Sequence, residues 1–482
     1  MADVKTAYSW ALIDRVANTA VTFAGNIVLA RLLTPFDFGL LAMVGIFSAI
    51  AYNISSCGLS DGLIKKLSPT REDYSTVFVF NGACGLFFGL LAIACAHPIA
   101  NYFGHSQLVG IMYAIGVCFF FQTLSFVQET RMRKALSMYK MCMVRLSATV
   151  TAVGLGIVLA LNGYGYWGLV SSQVFLSFFT FIYYVIASRW IPRIAFYRES
   201  FREMFGFGFN LMLAYVFNMI GKNVNTFVLG KQSPVASGVF YQAQKMEETP
   251  FSLTESISWT FYAVLSNESD RGKRALLSEN MFRTQCMISA LLATLLMLLS
   301  SPGVNFVFGA KWVAAIPVFR ILLFYGMCFP LKVFFQTVLK AHGRASLIRN
   351  LTILEVSLQI ALLFVVYRYG ILAIAWSQVA VVAVVLGCYV LFYSRMECTT
   401  VFRLFKIAVS PLAAPLAASA VTAAGYMIWN GHIPDFVSCL LIVAVYGIVA
   451  VAVWEFFPQP FYIKCRDEVA AWFRSLKHGK GN

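Results

Sequence analysis

Arg15, Asn18, Thr22 and Asn26 recur at steps of three, four and four, which puts them on one face of a helix. Tyr215, Asn218, Lys222 and Asn225 do the same at three, four and three, and Asn18 and Asn218 stand 200 positions apart. Lys245 adds a cation with Glu248 three residues on and Glu255 beyond it, Arg320 and Lys332 supply two more, and Glu355 is a lone carboxylate in an apolar run. Cations held among apolar residues with few compensating acids attract an anion, and phosphate or pyrophosphate is the usual partner of Arg and Lys groups. An isolated carboxylate at membrane depth suits a coupling ion, H+ or Na+. Each residue also has a plainer reading. Arg15, Arg320 and Lys332 are near enough to a helix end to snorkel, the asparagines can join helices, Glu248 can neutralise Lys245, and Glu355 can be a satisfied structural carboxyl. The expected binding set is Arg15, Asn18, Asn26, Lys222, Asn225, Lys245 and Arg320, with Glu355 as the site for an ion.

The elements that must position these residues are membrane helices. Of 482 residues 60% are hydrophobic and 12% charged, far from the balance of a soluble domain, which excludes a soluble enzyme or a nucleic-acid-binding domain. The formal charge of +16 then belongs to basic loops beside an anionic leaflet. Apolar stretches long enough to cross the bilayer fall near 10–32, 38–59, 75–97, 107–128, 141–161, 166–187, 207–230, 236–264, 283–301, 314–337, 346–367, 371–392, 405–429 and 434–457. The expected fold is an all-α polytopic membrane protein of about fourteen spans. With that count, 27 of the 37 Lys and Arg gather on one side and only Arg31, Lys231, Lys311 and Arg368 on the other. The positive-inside rule makes the rich side, with both termini, cytoplasmic. The loops at 98–106, 162–165 and 430–433 face the other side and are short. The N-terminal apolar run is too long for a signal peptide and is expected to stay in the mature protein. The eleven cysteines are scattered singly and the five histidines lie in or beside loops, so neither a metal site nor a cofactor is expected.

The second half echoes the first. Arg31-Leu-Leu-Thr-Pro35-Phe-Asp-Phe-Gly39 returns as Lys231-Gln-Ser-Pro234-Val-Ala-Ser-Gly238, Phe103-Gly104 as Phe308-Gly309, and the Gly165 to Val174 stretch as Gly370 to Val379 with its Ser-Gln-Val. Six spans per repeat is an even number, so the halves point the same way. The expected organisation is an N-lobe over 1–195, a C-lobe over 196–395 and an appended pair with a cytoplasmic tail over 396–482, with a hinge at the basic 189–203 linker. Two parallel bundles around a central cleft is the plan of an alternating-access transporter.

Leu29 to Met43, Gly58-Leu-Ser-Asp-Gly-Leu-Ile64, Ser75-Thr-Val-Phe78 with Asn81, Gly165-Tyr-Trp-Gly-Leu169, Phe308-Gly-Ala-Lys-Trp312 and Gly343-Arg344 resemble Wzx-type oligosaccharide flippases, the WzxC-like branch of the polysaccharide transporter family. That family shares a superfamily with lipid II flippases and MATE exporters. The resemblance implies two six-helix lobes and a C-terminal pair, and a substrate of undecaprenyl-pyrophosphate-linked oligosaccharide moved across the bacterial inner membrane for surface polysaccharide synthesis. It implies a transporter and not an enzyme, surrounded by membrane lipids; H+ or Na+ is the candidate coupling ion and the polysaccharide polymerase machinery a candidate partner, neither of them fixed by the chain. Lys222-Asn223-Val-Asn225 is similar to a family pattern that ends in Asp, and Asn225 departs from it. In the stretch Gly238–Pro250 relatives often carry two basic residues; here Lys245 is basic, Gln242 replaces the other, and Glu247-Glu248 stand where apolar residues are usual. The alternatives are a MATE-like exporter, which would favour acidic lobe residues, and a membrane-embedded polymerase or transferase, which would need a larger outward loop or an outward acidic pair.

Overall fold

The computed structural model describes residues 2–56, 59–66, 68–190, 192–267, 270–396, 400–429 and 431–456. Every regular element among them is helical. In chain order these are α1 (Ala2–Leu32), α2 (Pro35–Ser56), α3 (Leu59–Lys65), α4 (Arg71–Ala94), α5 (Ala96–Phe103), α6 (Gln107–Lys134), α7 (Met138–Leu161), α8 (Trp167–Ser188) and α9 (Arg198–Gln232). There follow α10 (Pro234–Asn267), α11 (Arg271–Val307), α12 (Ala315–Ala341), α13 (Ala345–Val366), α14 (Ile371–Met396), α15 (Val401–Val409), α16 (Ala413–Trp429) and α17 (Asp435–Phe456).

Eleven segments among the described residues are long and apolar enough to cross a membrane. The expected spans that fall outside this set correspond to α1, α9 and α10, of 31, 35 and 34 residues. Their length is ample for a bilayer; α1 and α10 are made less apolar by polar residues that include Arg15 and Lys245, and several side chains of α9 lie outside the described residues. The described residues are those of an all-α polytopic membrane protein, and α1, α9 and α10 hold most of the expected binding residues.

The chain divides into two compact units, one of Met1–Gln242 with Thr352–Ile374 and one of Ala243–Leu351 with Ala375–Asn482. In the first, α1 lies on α7, α7 on α8, α6 between α4 and α8, and α9 along α2. The approach of α4 to α6 is set by glycine: a Cβ on Gly89 or on Gly116 would stand 2.8 Å from the other's carbonyl oxygen. Such close backbone contact is how helices gain packing energy in lipid, where apolar side chains gain nothing by leaving the solvent. In the second unit α11 packs against α12, α16 and α17, and α16 pairs with α17.

The repeated motifs are helix-start and turn devices. Thr34 and Asp37 cap α2 reciprocally, the Thr34 amide and hydroxyl donating to the Asp37 carboxylate at 2.9 and 2.7 Å; Pro35 supplies the first helical residue. Ser233 and Pro234 open α10 in the same way, with Ala236 N–H donating to Ser233 Oγ at 3.4 Å. Gly39 and Gly238, four residues after each proline, meet: a Cβ on Gly39 would overlap the Pro234 carbonyl, and a Cβ on Gly238 the Pro35 carbonyl. The other repeated glycines, Gly104 with Gly309 and Gly165 with Gly370, all have positive φ, at 79°, 90°, 56° and 88°, where side chains are strained.

At the opposite end of the first unit, the basic loops are tied down. Lys134 donates to the carbonyls of Leu63, Ile64 and Lys66, closing the C-terminus of α3. Lys66 bonds Glu203 at 2.8 Å and Asp73 at 3.1 Å, and its hydrogen bond to Glu203 in particular holds the ammonium above its ordinary pKa. The 189–203 linker, expected as a hinge, is fastened on this end: Arg131 stacks 4.7 Å over the Trp190 ring, and Tyr197 N–H donates to Thr76 Oγ1 at 3.0 Å.

Candidate functional site

α9 carries Lys222 and Asn225 ten and seven residues before its last residue, Gln232. α13 lies against it. A Cβ on Gly221 would touch Val356 at 3.0 Å, and Gln359 Nε2 donates to Asn225 Oδ1 at 2.9 Å. This amide pair is buried, with Asn225 1% and Gln359 4% exposed. One turn nearer the helix starts, Lys222 and Glu355 are both half-buried. Gln359, which the sequence did not single out, thus neutralises the polarity of Asn225 without a charge.

On α1, Asn18 is fully engaged. Its amide donates to the Asp14 carboxylate at 2.6 Å, and its carbonyl accepts from Thr149 Oγ1 at 3.0 Å. Arg145 of α7 pairs with the same Asp14 at 3.0 Å. This polar network ties α1 to α7 and gives Asn18 the helix-joining role. Arg15 and Asn26 share α1 and are half-buried.

On α10, Lys245 pairs with Glu248 at 3.3 Å, and Gln244 donates to the same carboxylate at 3.1 Å. The neutralising reading of Lys245 is the arrangement observed, and the side chain of Glu255 lies outside the described residues. Glu247, beside it, is 2% exposed and packs against Gly326 of α12. Arg320 of α12 donates to Ser300 Oγ at 2.7 Å. Lys332, for which a water-reaching pose was open, is 7% exposed, its ammonium 5.4 Å from the Phe329 ring.

The structure gathers Arg15, Asn18, Asn26, Lys222, Asn225 and Glu355 in the first unit, and Lys245 and Arg320 in the second. Sequence reasoning missed Asp14 as the organiser of Asn18, Arg145 as its partner, Gln359 as the partner of Asn225, and the burial of Glu247. The step of four from Asp14 to Asn18 was a usable signal. The cross-helix partners carried none, because they are 131 and 134 residues distant in sequence. Within the first unit, Arg15 and Lys222 are half-buried cations on helices that also carry neutral amides, an arrangement that suits binding an anionic group.

A family described as "Polysaccharide biosynthesis protein" matches residues 28–317, more than half of the chain. The teichuronic acid biosynthesis protein TuaB of Bacillus subtilis (strain 168) is 22% identical over 345 residues, 70% of this chain and 71% of the relative. The succinoglycan biosynthesis transport protein ExoT of Rhizobium meliloti (strain 1021) is 22% identical over 346 residues, 70% of this chain and 69% of the relative. The lipopolysaccharide biosynthesis protein WzxC of Escherichia coli (strain K12) is 23% identical over 336 residues, 66% of each chain. Among solved structures, the lipid II flippase MurJ in an inward closed conformation superposes with a TM-score of 0.73 at 14% identity, covering 93% of this chain and 99% of its own. An inward-facing MATE family transporter of the MOP superfamily gives 0.64 at 16% identity, covering 81% and 96%. These likenesses show that the chain shares its helical fold with those two proteins.

Proposed function

Because the chain belongs to the polysaccharide biosynthesis protein family, we propose that it is a flippase that moves undecaprenyl-pyrophosphate-linked oligosaccharide from the cytoplasmic to the outer leaflet of the bacterial inner membrane. The observation that carries this reading is the half-buried cation Lys222, held within α9 beside neutral amides in a fold shared with a lipid II flippase. An ionisable group on a membrane helix is a functional-site hypothesis by default, and a pyrophosphate headgroup is a ligand that suits a lysine. Arg15 is the second proposed headgroup contact, with Lys245 and Arg320 further candidates. Transport by alternating access uses the lobes 1–195 and 196–395, with the 396–482 segment appended and both termini cytoplasmic. The internal repeat supports this organisation; within the first compact unit α9 lies along α2, with Gly39 of α2 against Gly238 of α10 at the end the charge pattern assigns to the periplasm. The lipid tail can stay in the bilayer, so only headgroup and glycan need passage.

The deciding experiment is reconstitution in liposomes with a fluorescent undecaprenyl-pyrophosphate-linked oligosaccharide on the inner leaflet. Time-dependent exposure of the label to an external quencher supports the flippase. No exposure, together with efflux of a cationic dye, would instead favour an exporter.

A further inference from the structure

The register of α9 on α13 places two opposite charges side by side. The contacts Gly221 with Val356 and Asn225 with Gln359 advance together along both helices, so the helices run parallel. At about 100° of turn per residue, Asn218, Lys222 and Asn225 fall within about 60° of one another on α9. Thr352, Glu355 and Gln359 fall within about 60° on α13 by the same geometry. In parallel helices the flank that carries Asn225 meets the flank that carries Gln359, so the other residues of each flank face one another too. Asn218 then stands level with Thr352 and Lys222 with Glu355, at sequence offsets of 134 and 133 against 134 for the bonded amides. Exposure follows the same steps: Asn225 and Gln359 are buried, Lys222 and Glu355 half-buried.

We propose that Glu355 is the built-in counter-charge of Lys222, occupying the ammonium when no substrate is bound and giving way to the headgroup when it arrives. This rests on the flippase reading for the identity of the ligand; the pairing itself does not. A carboxylate brings one negative charge and two acceptor oxygens. A pyrophosphate brings more of both and displaces it, whereas a small monoanion gains nothing over what it replaces. Glu355 therefore sets a threshold that favours highly charged headgroups over small anions. Displacement opens the Lys222–Glu355 step while the neutral Asn225–Gln359 bond one turn away persists, so headgroup binding is coupled to movement of α13 on α9.

The test uses the purified full-length protein with the variants Lys222→Met, Glu355→Gln, their combination, and the exchange Lys222→Glu with Glu355→Lys. Without ligand, the thermal midpoints of the two single variants should fall by more together than the double variant does, and the exchange should recover part of the loss. Strictly additive midpoints would overturn the pairing. With undecaprenyl pyrophosphate as the probe, Glu355→Gln should bind about fivefold more tightly, the size of a modest ion pair, and this gain should vanish in the Lys222→Met background. Unchanged or weaker binding by Glu355→Gln overturns the displacement. A wild-type protein with coupled midpoints that does not bind the probe overturns the displacement and the flippase reading while leaving the pair in place. Should Lys222→Met fail to fold, Lys222→Gln and a short bifunctional crosslink between Lys222→Cys and Glu355→Cys give the same decision on the pair.

Discussion

Arg145 reaches back to Asp14 at 3.0 Å, and the same carboxylate accepts the Asn18 amide at 2.6 Å. One acid thereby holds α7 against α1 and also fixes the side chain that the sequence offered as a substrate contact. Asp14→Ala should lower stability by about 1 kcal/mol, since the Arg145 side of the pair is half exposed and its ion pair counts for little. Asn18→Ala should lower the thermal midpoint similarly while leaving affinity for a polyprenyl pyrophosphate unchanged. A large loss of affinity with an unchanged midpoint would return Asn18 to the binding set.

Lys222 is expected to carry the headgroup through charge. Losing a charge-assisted contact to a sequestered phosphate weakens binding by roughly 1.5–3 kcal/mol. Lys222→Ala should thus impair flipping far more than Lys222→Arg, measured in liposomes at matched protein abundance. Normal transport by Lys222→Ala would remove Lys222 from the mechanism.

Gly39 and Gly238 leave no room for a methyl group, because the obstacle in each case is backbone. Gly39→Ala and Gly238→Ala should each cost about 1–3 kcal/mol, as overpacking does, visible as a lowered thermal midpoint in detergent. Gly154→Ala, where nothing lies within 4 Å of the added carbon, is the matched control and should be neutral or slightly stabilising.

Side-specific labelling checks the orientation. In a background lacking the eleven native cysteines, His105→Cys, after α5, should react with an impermeant maleimide added from outside, and Gly272→Cys, at the start of α11, should not. Reaction of both, or the reverse pattern, would contradict cytoplasmic termini.

What the sequence made legible was whatever is local. Helix lengths, the Ser/Thr-Pro starts of α2 and α10, and the glycine turns are set by neighbours a few residues away, which is why α10 was readable despite Lys245, Glu247 and Glu248. The polar stripes of α1 and α9 were readable because a helix has a fixed period. Which stripe meets which was not, since the partners of Asn18 and Asn225 depend on how helices far apart in the chain come to lie together. Lys332 shows the same limit: nearness to a helix end permits an escape to water, and the packing that leaves it 7% exposed withholds it. The short helices α3 and α5 escaped notice because seven and eight residues give too few turns for a period to register.

The contact between Gly39 and Gly238 has the form of an isologous interface: the same motif meets itself, each glycine against the proline carbonyl of the other copy. Identical chains make such contacts around a twofold axis. Because both copies lie on one polypeptide, the contact is intramolecular and forms at high effective concentration rather than by a bimolecular encounter.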